Sequence, residues 1–186
     1  MGTEIAMSPM SKVIFTVTTV TGLATAAFTV LYQNCGFAWS LTTAITCGTT
    51  FYHFAMRLLV GAVVPKLIGN ANGRWFRQCS FEPALYRFLC VRQWKKYMPT
   101  YNPDSFSLRH HTLPQIIKTS RHSEMVHEVI IVFSFLPLLF IRPFGARAVF
   151  VTTSILAALF DSCFVIMQRY NRPRLERLYK KEETRP

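Results

Sequence analysis

The stretch Ser120–Ile141, SRHSEMVHEVIIVFSFLPLLFI, decides how this chain is read. Residues 121–128 carry Arg121, His122, Glu124, His127 and Glu128, and residues 129–141 are apolar enough to enter a bilayer. On one helix Glu124 and His127 stand three apart, and Glu124 and Glu128 four apart, so the three share a face. Ionisable groups at the mouth of a membrane span are costly to place there and mark function by default. The stretch predicts the active-site edge of a small integral membrane enzyme.

Outward from it, the apolar residues come in blocks. Val13–Tyr32 runs without a charge for roughly the 20 residues that cross a hydrocarbon core, and its Thr, Ala and Gly permit close helix contacts. A second span is expected over 38–64, with Trp39 at the interface and His53 and Arg57 four apart on one face. Such a pair lines a polar cavity more often than it faces lipid; the competing reading is that Arg57 snorkels and His53 satisfies a local hydrogen bond. The third span is expected over 124–141, kinked at Pro137, and the fourth over 148–167, with the acid Asp161 near its end.

The remaining segments are polar. Residues 1–11 read as a short frayed start without a clean signal peptide. Residues 65–123 form the long insert, with a turn at Asn70–Gly73. Within it, Phe81–Met98 sets Leu85, Phe88, Leu89, Val91 and Trp94 among bases at helical spacing, predicting one amphipathic helix in the interface plane. Pro173 is expected to end the fourth helix, with residues 168–186 a basic tail that becomes mobile from Leu178. The fold class is therefore all-α: a single domain over 1–186, built as a bundle of four transmembrane helices with an interfacial helix in the insert.

The chain is 51% hydrophobic and carries a formal charge of +12. In a soluble protein that charge would point to nucleic acid. Here the bases sit between and after the apolar blocks, as anionic headgroups and the positive-inside rule require, so no nucleic acid partner is expected. Lys12, the insert and the basic tail then fall on the cytoplasmic side of a multi-pass cell-membrane protein. That topology puts Arg57, Glu124–Glu128 and Asp161 at one depth, on three separate spans. The five cysteines include no CxxC pair and read as free thiols in packing roles.

A histidine beside a carboxylate can act as general base on a hydroxyl, and arginines nearby can hold phosphate or a developing oxyanion. This suits acyl transfer to an alcohol at a membrane surface. Other chemistries lack their signatures. HSEMVH spaces its histidines five apart, unlike a zincin helix, no HxxxH box serves a di-iron site, and no GxSxG elbow, P-loop or HxxxxD box occurs. No metal and no cofactor beyond an acyl thioester co-substrate is expected. Two other classes stay open: a non-catalytic lipid-binding membrane protein, and a small transporter of anionic lipid.

VRQWKK at Val91–Lys96, ExxH at Glu124–His127 and IMQRYNRPRL at Ile166–Leu175 resemble the glycosyl-4,4'-diaponeurosporenoate acyltransferase family, which completes staphyloxanthin-type carotenoid lipids. The resemblance runs from about Arg74 to Arg177. It implies transfer of a fatty acyl chain from an activated thioester, on coenzyme A or acyl carrier protein, to a sugar hydroxyl of a glycosylated lipid. Arg92, Trp94 and Lys95 would then belong to a basic-aromatic helix, and Gln168, Arg169, Tyr170, Asn171, Arg172 and Arg174 to a terminal motif. His127 would be the base and Glu124 its orienting acid, with Arg172 and Arg174 on phosphate or carboxylate. His53, Arg57, Arg121, Glu128 and Asp161 complete the expected substrate-binding set.

Overall fold

The structure, a computed structural model, describes residues 8–69 and 73–184. Residues 1–7 of the expected frayed start and residues 70–72 of the expected turn lie outside the described residues. Among the described residues there is no strand, and the fold is an all-α membrane bundle. Its helices are α1 (Pro9–Cys35), α2 (Ala38–Ile68), α3 (Glu82–Phe88), α4 (Val91–Trp94), α5 (Leu113–Phe133), α6 (Ile141–Phe144) and α7 (Arg147–Glu183). Among the described residues, four stretches are long and apolar enough to cross a membrane: α1, α2, α5 together with α6, and α7.

Local chemistry sets the ends. Ser8 caps α1, its Oγ accepting from the Ser11 amide at 3.1 Å, and Pro9 fits the first turn, where its missing N–H is no loss. Gly36, at φ 67°, closes α1 in the left-handed conformation and donates its amide to the Tyr32 carbonyl. α1 and α2 then pack as a hairpin at small residues. A Cβ at Gly22 would meet the Phe51 ring at 3.0 Å, and one at Gly48 would meet Thr25 at 3.3 Å.

The helix that carries the third span begins at Leu113, ahead of 124. Pro114 stands in the first turn of α5, and the Gln115 side chain accepts from the Thr112 amide at 2.9 Å, a start signal inside a segment that reads as loop. The apolar seam Leu113, Ile116 and Ile117 carries the helix up to the ionisable cluster. α5 breaks at Ser134, ahead of Pro137, into a 3-10 turn over Leu136–Phe140. Met56, Val60 and Val64 of α2 meet Ile130 of α5 in the apolar core.

Two sequence expectations are corrected. Phe81–Met98 is not one helix. Cys90 takes φ 50° and separates α3 from α4, and a 3-10 turn comes next at Lys95–Tyr97. Its inward face is Glu82, Tyr86 and Val91, while Phe88 is 83% exposed. Pro173 does not end the last helix. α7 runs through it to Glu183, and Leu178 onward is helical as far as that residue. Pro173 removes one backbone donor, but side chains on both sides of it are tied to the insert and to α5. The cysteines are free thiols as expected, though Cys35, Cys79 and Cys90 are exposed rather than packed.

Candidate active site

α5 and α7 run antiparallel: Arg121 of α5 pairs with Glu176 of α7, Glu124 with Arg172, and His127 with Asp161. The buried face of α7 is Phe150, Ser154, Ala158, Asp161, Phe164, Gln168 and Arg172, a three-and-four spacing that keeps one stripe inward. Polar residues interrupt that stripe at two levels.

The deeper level joins three spans. Asp161, 1% exposed, accepts from Arg57 of α2 through Oδ2 and meets His127 Nδ1 of α5 at 2.8 Å through Oδ1. Arg57 Nη1 also donates to the His53 carbonyl at 2.8 Å. The His127 ring stacks on Phe164 at 4.5 Å with 5° between planes, so its orientation is fixed from the side as well as from Nδ1. An ionised carboxylate can only accept, so it takes the Nδ1–H and leaves the Nε2 lone pair for a ligand. The His53 ring is buried, and neither of its nitrogens has a hydrogen-bond partner among the described residues.

The level above it docks the insert. Glu124 is fully buried and receives Arg172, whose Nη2 donates to the Phe76 carbonyl at 2.6 Å. Arg169 Nε lies 3.2 Å from Glu82 and 3.6 Å from Glu124. Its Nη1 lies 3.9 Å from Glu128, and Glu128 accepts from Trp75 Nε1 at 2.9 Å. Ser120 Oγ donates to Gln168 Oε1 at 2.8 Å. On the outer side, Tyr86 donates to Glu82 at 2.7 Å, and burial together with that bond raises the phenol well above its ordinary pKa. Lys95 donates to Asn171 at 2.6 Å and lies 4.7 Å from the Tyr170 ring centre. Arg174 lies over the same ring at 4.2 Å. Trp94 Nε1 donates to the Leu89 carbonyl, within the insert.

The structure therefore sorts the expected site residues into three groups. His127, Asp161, Arg57 and His53 converge. Glu124, Glu128, Arg121, Gln168, Arg169 and Arg172 tie α5, α7 and the insert together. Arg92, Lys95, Tyr170, Asn171 and Arg174 stand on the outer face between α7 and α3–α4, and Trp94 is bonded within the insert.

Two role assignments change. The carboxylate on His127 is Asp161, because the antiparallel register aims His127 across at α7, while Glu124 is drawn to Arg172 and Arg169. Arg172 is 1% exposed, with Nη1 on Glu124 and Nη2 on the Phe76 carbonyl, and that burial closes it to a substrate phosphate. Sequence reasoning missed Trp75, Glu82 and Tyr86. Glu82 carries a visible signal, since it and Asp104 are the only acids among the many bases of residues 65–121.

Fold and site together define a small polytopic membrane protein whose spans share an ionisable interior. Residues 72–181, more than half of the chain, match the family model of glycosyl-4,4'-diaponeurosporenoate acyltransferase, and the chain belongs to that family. The family places it among the acyltransferases of carotenoid biosynthesis. No individual curated protein and no solved structure matches the chain.

Proposed function

We propose that the protein transfers a fatty acyl group from an activated thioester to a hydroxyl of a glycosylated lipid, with His127 as general base. The observation that supports this most is the Arg57–Asp161–His127 constellation, one residue from each of three spans, in a chain of an acyltransferase family. Asp161 holds the imidazole in one tautomer and stabilises the imidazolium. Arg57 keeps Asp161 paired in a low-dielectric interior, where a lone carboxylate would be costly. Nε2 takes the proton of the acceptor hydroxyl as its oxygen attacks the thioester carbonyl carbon. The tetrahedral oxyanion then collapses, the C–S bond breaks, and the imidazolium proton passes to the departing thiolate.

The start of α1 lies at the insert's end of the bundle, where Ser8 Oγ donates to the Tyr101 carbonyl. With the C-terminal half of α7 also docked on the insert, the basic segments collect at one end, which the positive-inside rule assigns to the cytoplasm of a cell membrane. The donor would arrive from that side.

The test is the lipid profile of host cells that lack the protein, complemented with wild type, His127→Ala or Asp161→Asn. An acylated glycolipid should vanish in the deletion and in His127→Ala. With purified proteins, Asp161→Asn should lower the transfer rate per folded molecule by about a hundredfold or more, the scale of losing an oriented base. An unchanged lipid profile in the deletion would remove this reading.

A further inference from the structure

Outside the His127 site, a cavity of about 560 Å³ opens between α3–α4 and the C-terminal half of α7. Arg87, Arg92, Arg174 and Arg177 line it, together with Tyr86 and Tyr170. Among the described residues no carboxylate lines it, and none of these four guanidiniums forms an ion pair. The neighbouring arginines in the next layer are treated differently: Arg169 and Arg172 each face a glutamate. All four are exposed to solvent, and the fold places these like charges around one concave surface with no carboxylate in its lining.

The cavity is also built rather than incidental. The Tyr170 hydroxyl accepts from Arg174 Nη2 at 2.7 Å, and its ring meets Tyr86 edge-on at 5.5 Å. Lys95 lies over the Tyr170 ring as well, and burial beside Arg174 and Arg92 pulls its ammonium below the ordinary lysine range. Planar guanidiniums match phosphate oxygens in pairs, and a cavity of this size suits a small ligand.

We propose that this cavity binds the phosphate groups of the acyl donor, a nucleotide thioester of the coenzyme A type. The assignment rests on the acyl-transfer reading for the identity of the ligand, and on the arginines for its chemistry. Arg174 stands about 20 Å further along α7 than Asp161, by helical rise. The cavity therefore holds a part of the ligand remote from the reacting bond, and in a coenzyme A thioester the phosphates are that part. Remote binding energy of this kind positions the thioester at the base.

The experiment is coenzyme A binding, by calorimetry, to the full chain in nanodiscs of zwitterionic lipid. Wild type, Arg92→Gln/Arg177→Gln and the distant control Arg142→Gln are compared, with 3'-phosphoadenosine 5'-phosphate and pantetheine as partial ligands. Both phosphorylated ligands should bind wild type and the control, lose about tenfold or more in the double variant, and weaken with salt, while pantetheine binds poorly. A parallel arm replaces the free ligand with nanodiscs containing phosphatidate. If phosphatidate occupies the cavity and coenzyme A does not, the ligand is a lipid headgroup and the donor assignment is overturned. Equal coenzyme A affinity in wild type and double variant overturns the site itself. Coenzyme A carries no acyl group, so this readout is independent of turnover, and a failure here is distinguishable from a failure of the His127 mechanism.

Discussion

The two helix pairs of this bundle are held by opposite means. The α1–α2 hairpin is rich in threonine, yet its hydroxyls bond to their own helix: Thr18 to the Ile14 carbonyl, Thr21 to Val17, Thr25 to Thr21, Thr49 to Ile45. Those helices approach closely at Gly22 against Phe51 and Gly48 against Thr25, and Phe28 meets Trp39 edge-on between them. The α5–α7 pair sends its polar groups across, through Glu124–Arg172, His127–Asp161, Ser120–Gln168 and Arg121–Glu176. Lipid is as apolar as leucine, so burying apolar area between two spans brings no hydrophobic gain. A hydroxyl returned to its own backbone is satisfied wherever the helix sits, and it specifies no partner. A charge inside a span must find one particular counter-charge, and so it fixes register. The α1–α2 contact is a packing device, whereas the α5–α7 contact, which Arg57 of α2 joins at Asp161, places chemistry at a defined depth.

The contrast breaks first at Glu124. Replacing it with alanine strands the Arg172 guanidinium in a fully buried site, and removing one partner of a buried pair costs about 3–5 kcal/mol. Glu124→Ala should therefore unfold about 6–20 °C earlier or fail to accumulate in membranes. Cys47 and Cys163, the two thiols that are half-buried, provide a fluorescent thiol-labelling readout of unfolding in detergent once the exposed Cys35, Cys79 and Cys90 are replaced by serine. The double variant Glu124→Met/Arg172→Met replaces the pair by apolar side chains of similar size and should recover most of the loss. A single variant as stable as wild type would mean that the pair does not hold the two helices together.

How much of this was legible in the sequence rests on the same physics. Arg57, Asp161 and the Glu124–Glu128 cluster stand out because each is an ionisable residue in or beside an apolar run, and counting along four spans brings them to one level. Helical periodicity shows which residues share a face of one helix, but it carries no information on the register between two helices. Glu124 therefore reads as the partner of His127, while the partner in space is Asp161 on another span. The terminal motif QRYNRPRL reads as ligand-binding for a related reason. Sequence shows that its residues are polar and clustered, but not that Arg172 faces inward to Glu124 while Arg174 faces outward to the cavity. Cys90 is illegible in another way, since a left-handed non-glycine residue is set by its neighbours rather than by its own propensity.

A smaller effect is expected at the hairpin seam. Gly22→Val puts side-chain atoms where the Phe51 ring already lies, at 3.0 Å from an added Cβ. Overpacking of this kind costs about 1–3 kcal/mol, below the Glu124 effect. Because Gly22 stands on α1, which supplies no residue to the Arg57–Asp161–His127 constellation, the rate of acyl transfer per folded molecule should stay at the wild-type value. Loss of activity in the folded fraction would mean that α1 does more than pack.

The finest test compares two hydroxyls. Thr21→Val removes a group bonded only to carbonyls of its own helix, Val17 at 2.6 Å foremost, and that carbonyl remains engaged in the helix ladder. The substitution keeps the shape of the side chain, so stability should stay within about 0.5 kcal/mol of wild type. Ser120→Ala removes a group of the same chemistry, but one that donates across helices to Gln168 Oε1 at a buried site. That leaves a buried amide oxygen without its donor, worth about 1–3 kcal/mol. Both proteins lose one hydroxyl and little volume, so their difference isolates whether the bond crosses between helices. Thermal unfolding of the two side by side should separate them clearly, with Ser120→Ala the lower. Coincident curves would show that cross-helix polar bonds contribute no more here than bonds a helix makes to itself, and the distinction between the two pairs would then rest on the charges alone.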